Sequence, residues 1–74
     1  MVKNPSVVAR NVKRIISENA WKQGAIGMRA GYSPKAFSAM LNGTAKINIE
    51  DIQRLIPVLG VTPNELFRED QLAS

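Results

Sequence analysis

The 74-residue chain has no cysteine and no histidine. Without cysteine there is no disulfide, no thiolate metal site and no thiol nucleophile, a composition that suits a reducing compartment. Without histidine the commonest general base and the commonest zinc ligand are missing too. Aspartates and glutamates are present, but no paired spacing gathers them into a site. No apolar run has the length of a bilayer span or the character of a signal peptide. No segment alternates apolar and polar residues long enough to mark a strand. These absences lead to the expectation of a cytoplasmic protein that is not an enzyme. It would have no metal, cofactor or membrane partner, and no small-molecule ligand is implied.

Seventy-four residues set the size of one domain, and a core this small is marginal but feasible without staples. The charge is uneven. From Met1 to Lys46, eight basic residues face Glu18 alone, a net of +7. From Ile47 to Ser74, Arg54 and Arg68 face five acidic residues, a net of −3. A basic half beside an acidic half suits a protein with one side turned to a polyanion; an ordinary solvated surface is the plainer alternative.

Helix signals recur along the chain. Asn4-Pro5 reads as an N-cap followed by proline at the first helical position. Val8, Val12, Ile15 and Ile16 then share one face, with Arg10, Lys13 and Arg14 mostly off it, until the pattern fades near Asn19. Trp21, at a helix boundary, is expected in the core because tryptophan buries a large area. A short second helix is predicted over Gln23 to Ala30, with Ile26 and Ala30 inward. Gly24 and Gly27 weaken it by about 1 kcal/mol each relative to alanine, which signals either tolerance or close helix contact. Gly31 marks a turn, and Ser33-Pro34 starts a third helix. Phe37, Met40 and Leu41 anchor that helix, and Asn42-Gly43 ends it. Asn48 starts a fourth helix, with Glu50 and Asp51 in its first turn. Its expected apolar stripe is Ile49, Ile52, Leu55, Ile56 and Leu59. Pro57 is expected to kink or shorten it, and Gly60 stops it. Thr62-Pro63-Asn64-Glu65 reads as a capping box before Leu66 and Phe67. The expected architecture is a single all-α, five-helix domain with its core over residues 5–69 and a frayed tail over 71–74.

From Trp21 to Phe67 the chain resembles, without a gap, the Cro/CI-type (XRE-type) helix-turn-helix domain of phage repressors and bacterial regulators. Gln23 sits where that family opens its second helix, Gly27 at the small-residue position and Gly31 at the turn glycine. Ser33, Phe37, Ser38 and Met40 fit the recognition-helix pattern, and "LNG" resembles its usual end. "LGVTPNELF" is the most specific match, close to the family's "LGVS…LF" ending. The first helix fits more loosely, through Val8, Val12 and Ile15.

The resemblance implies a lambda-repressor-like fold and a bacterial, phage- or prophage-encoded transcription regulator. Such a protein binds double-stranded operator DNA, commonly as a homodimer, with helices two and three on the duplex. It implies base-reading positions at Ser33, Pro34, Lys35, Ser38 and Ala39. It implies phosphate contacts at Lys22, Gln23, Asn42 and Lys46. Arg10, Lys13 and Arg14, with Lys3, are further phosphate candidates or simply a solvated face. Any dimer contact must come from the helical domain itself, and Val58, Val61, Leu66 and Phe67 are the candidates.

Three departures from the family pattern matter. Pro34 and Ala39 offer at most a contact with a thymine methyl group, and only Lys35 is a long polar side chain at a reading position. Lys22 stands where the family places a capping Ser, Thr or Asn; lysine cannot accept the cap bond, worth about 1 kcal/mol, and its charge opposes the helix dipole. A phosphate docked there would relieve both. Many relatives pair a buried arginine and glutamate where this chain has Ile16 and Leu41. Losing both partners of such a pair together is often neutral or stabilising. The sparse reading face keeps a second function open: a modulator or antirepressor that binds a related repressor through Met28, Pro34, Ala36, Ala39 and Met40. Met28 and Met40 suit the role of core gap-fillers better than that of a recognition surface, with Met28 the one that could stand exposed.

Overall fold

A computed structural model describes residues 7–68. They form five helices and, among the described residues, no strand: α1 (Val7–Glu18), α2 (Gln23–Arg29), α3 (Pro34–Asn42), α4 (Ile49–Leu59) and α5 (Pro63–Phe67). The expected Asn4-Pro5 start, the domain limits at residues 5 and 69, and the tail over 71–74 lie outside the described residues.

The helices share one core. Phe37, Leu41, Leu55, Leu66 and Val12 are its largest fully buried side chains. Burying a Leu, Val or Phe completely contributes about 1.5–3 kcal/mol, so each of these five positions stabilises the fold on that scale. α1 packs on α3 and α5, and α2 packs on α1, α3 and α4. Ile16 of α1 and Leu41 of α3 both lie in this core, so both positions are buried and apolar. Asn11 is the one buried polar residue among those described. Its Nδ2 donates to the carbonyls of Leu66 at 2.7 Å and Arg68 at 2.8 Å, and its Oδ1 accepts from Arg14 at 2.8 Å. A side chain of α1 thus satisfies carbonyls at the C-terminal end of α5 that no helical turn can reach.

Several sequence expectations change on contact with the tertiary structure. Trp21 is 39% exposed and so is not a core residue; it sits beyond the end of α1, in the connection to α2. Ile49, the first residue of α4, is 70% exposed, and the stripe begins at Ile52. Thr62 makes no side-chain cap bond; the Glu65 amide bonds the Thr62 carbonyl instead, at 3.0 Å. The reciprocal box belongs to α4: Asn48 Oδ1 accepts from the Asp51 amide and Asp51 Oδ2 accepts from the Asn48 amide, each at 3.0 Å. Ala30 caps α2 rather than extending it. Pro57 does not shorten α4, which runs on to Leu59. Pro57 and Gln53, whose carbonyl loses its amide partner, are both exposed, so water can take the freed acceptor.

Candidate nucleic-acid interface

The best-defined local unit is the connection from α2 to α3. Gly31, at φ 93°, takes the left-handed conformation that ends α2. The Tyr32 amide then bonds the Gly27 carbonyl at 2.8 Å and the Gly31 amide bonds the Met28 carbonyl at 3.0 Å, the paired closure of a Schellman motif. Ser33 follows as the N-cap of α3, its Oγ accepting from the Ala36 amide at 3.1 Å. Pro34 opens the helix and Gly43, at φ 85°, closes it.

Two side chains lock this connection in place. Phe37 lies so close to α2 that a Cβ on Gly27 would stand 2.6–2.9 Å from its Cδ2, Cγ and Cβ. The absence of a side chain at Gly27 is what lets α3 approach. Tyr32 stacks on Phe37 with ring centroids 5.8 Å apart, and its hydroxyl donates to Asp51 Oδ1 at 2.6 Å. The Arg54 guanidinium sits 5.7 Å from the Tyr32 ring centre, within cation–π range. Partial burial and the Asp51 carboxylate, which holds the phenol's proton and repels its charged form, push the Tyr32 pKa up to about 12, with Arg54 pulling the other way. The turn between α2 and α3 is therefore bolted to the first turn of α4. Sequence reasoning missed Tyr32, Asp51 and Arg54 in this role. The available signal was an aromatic directly after the turn glycine, where helix ends often make an apolar contact.

With Phe37, Met40 and Leu41 buried, the helical period turns Lys35, Ala39 and Asn42 to the opposite side of α3. Pro34, Lys35, Ala36 and Asn42 are exposed; Ser38 and Ala39 are half-buried. Asn42 Nδ2 donates to Ser38 Oγ at 3.3 Å, so these two short polar groups are partly occupied with each other. Met40, proposed from sequence as part of a partner surface, is 5% exposed and belongs to the core. Its place at i+3 from Phe37 puts it on the inner face.

Around α3 the basic candidates differ. Lys22 and Gln23 are exposed at the start of α2, and Lys46 is exposed in the connection from α3 to α4. Lys22 has extended backbone and makes no cap bond, as its side chain dictates. Arg10 and Lys13 stand on the exposed face of α1, away from Val8, Val12 and Ile15. Arg14 is committed within its own helix, to Asn11 and, at 3.6 Å, to Glu18. That makes it the weakest of the phosphate candidates. Lys3 lies outside the described residues.

The dimer candidates separate in the same way. Leu66 has no exposed surface and is a core residue, not a contact: α5 packs on α1 through it. Phe67 is 54% exposed, whereas Val58 and Val61 are half-buried against the core. Among the described residues no group of acidic side chains could hold a metal ion, and no helix is long and apolar enough to cross a membrane. Comparison with protein-family models, curated proteins and solved structures gives no match to this chain.

Proposed function

We propose that the protein is a small Cro/CI-like transcription regulator that acts in the bacterial cytoplasm. In this reading α2 and α3 form a helix-turn-helix, and α3 enters the major groove of operator DNA. The observation that carries the reading is the rigid exit from α2. A capped, four-residue connection, a glycine fitted to Phe37 and the Tyr32–Asp51 bond together fix one exposed face of α3. In this reading the exposed Lys22, Gln23 and Lys46 supply phosphate contacts, Arg10 and Lys13 extend them, and Lys35 supplies the one long side chain for a base edge. The exposed Phe67, with Val58 and Val61, serves a homodimer on a two-fold site.

The test is binding of the whole protein to duplex DNA from its own genomic neighbourhood across a salt series. The reading expects a specific complex whose log affinity falls linearly with log salt, with a slope near −0.9 for each phosphate neutralised. Affinity no better than for random DNA at physiological salt rejects it.

A second reading, a modulator that covers the DNA-binding face of a related repressor, rests on Met28. That side chain is 68% exposed on α2 and suits an adaptable protein contact. With Met40 removed, its surface reduces to Met28, Pro34, Ala36 and Ala39. Tight binding to a neighbouring repressor, together with no specific DNA complex, selects this alternative.

A further inference from the structure

The chemistry of the exposed α3 face narrows what a duplex must offer it. Major-groove readout depends on which side chains can reach base edges: long cations select guanine, Asn and Gln select adenine, and small apolar groups select the C5-methyl of thymine. Here the inward turn of Phe37, Met40 and Leu41 leaves Lys35 and Asn42 exposed on the far side with the half-buried Ala39 between them, and Pro34 and Ala36 exposed at the first turn. The short polar groups are engaged locally. Ser33 Oγ caps the helix, and Ser38 Oγ accepts from Asn42 Nδ2. Lys35 makes no such bond, but it can specify no more than one base at a time.

Beside these short, partly occupied polar groups and the single lysine, most of what remains to discriminate bases is methyl surface. Short side chains also let the helix sit close to the floor of the groove, where an alanine methyl can touch a thymine methyl. We propose that α3 selects its site mainly through thymine methyl groups packed against Ala39 and the Pro34–Ala36 turn, with one guanine contacted by Lys35. This rests on the DNA reading given above and deepens it: the ligand is a duplex whose recognised positions carry C5-methyl groups.

The test uses the whole protein and a duplex enriched from a randomised double-stranded library, resynthesised with uracil in place of thymine. Uracil keeps every hydrogen-bonding group and removes only the methyl. The expected result is a loss of about fourfold in affinity for each methyl contacted, the fold-change that corresponds to one buried methyl-sized group. In Ala39→Gly, checked for helix content by circular dichroism, the thymine-to-uracil ratio should fall toward one. Equal affinity of the wild-type protein for the two duplexes overturns the inference and leaves the DNA reading standing. An unchanged ratio in Ala39→Gly takes the contact away from Ala39 and overturns that assignment. A library that yields no enriched duplex overturns the DNA reading, and this inference with it.

Discussion

The way into α2 and the way out of it use the same backbone device with different care. At the entry, α1 ends in a Schellman closure: the Trp21 amide bonds the Ile16 carbonyl and the Ala20 amide bonds the Ser17 carbonyl, both at 3.0 Å. The left-handed position there is Ala20, at φ 56°. The residue after it, Trp21, stays 39% exposed, and Lys22 provides no cap for α2. At the exit, Gly31 takes the left-handed position, Tyr32 stacks and bonds, and Ser33 caps α3. The strain, the missing cap and the exposed aromatic all fall on one side of α2. The well-made joint is the one that orients α3. The poorly made one carries Lys22 and Gln23, the residues proposed to meet phosphate. Natural sequences break local rules where function makes another demand; in the proposed DNA reading, a docked phosphate is that demand at the entry to α2.

The largest expected effect tests the close approach that the exit depends on. Gly27→Ala places a Cβ 2.6–2.9 Å from three atoms of the Phe37 side chain, including its own Cβ. Phe37 is fully buried, so the ring cannot swing aside. Overpacking of this kind costs about 1–3 kcal/mol, partly offset by alanine's better helix propensity. Gly24 is the internal control. Nothing lies within 4 Å of its Cβ position, and Gly24→Ala should stabilise by up to about 1 kcal/mol. Urea denaturation of the two variants should move in opposite directions. Equal shifts would mean that the glycines of α2 are merely tolerated.

A smaller pair of effects compares the two left-handed residues directly. A side chain in that conformation costs about 1–2 kcal/mol. Gly31→Ala should therefore destabilise by roughly that amount, since the space around it is open and only the backbone objects. Ala20→Gly should do the reverse, with a gain of about 0.5–1 kcal/mol after glycine's greater entropy loss on folding. Adding Lys22→Ser to Ala20→Gly supplies the absent cap and a further stabilisation of about 1 kcal/mol. If Lys22 is retained for phosphate, that double variant melts higher and binds DNA more weakly. A double variant that melts higher and binds DNA as well as before would make the entry to α2 simply unrefined.

These joints also explain how much was legible in the sequence. Ser33-Pro34, Asn48 and Gly43 mark true helix ends because a cap is a bond between residues three to five apart. Phe37, Met40 and Leu41 fix the inner face of α3, and hence its outer face, by spacing alone. Burial is another matter. Trp21 and Ile49 sit at the edges of their helices, and whether a neighbour covers them depends on helices that the local pattern does not describe. Asn11 was overlooked because its partners, Leu66 and Arg68, lie more than fifty residues along the chain. Within the candidate site the charges and small residues of α3 were readable, whereas its anchorage through Tyr32 to Asp51 joins the turn to a helix nineteen positions away.

That anchorage predicts the subtlest effect, confined to alkaline pH. Tyr32 is the only tyrosine in the chain, so the ultraviolet absorbance of its phenolate reports on this one group. In the folded protein the midpoint should lie at about 12, against about 10 for the unfolded chain. The phenol keeps its proton longer when folded, so its contribution to stability is fully present below pH 10. It is lost as the pH rises from about 10 through 12, because there the unfolded state binds fewer protons than the native one. Tyr32→Phe lacks both the proton and the bond to Asp51. It should lose about 1 kcal/mol at neutral pH, and the difference in stability between it and the wild type should shrink across that alkaline window. Every other ionisable group is common to both proteins and cancels in the difference. A phenolate midpoint near 10 in the folded protein would unbolt the turn from α4. The exit from α2 would then rest on Gly27 and Phe37 alone, and much of its contrast with the entry would disappear.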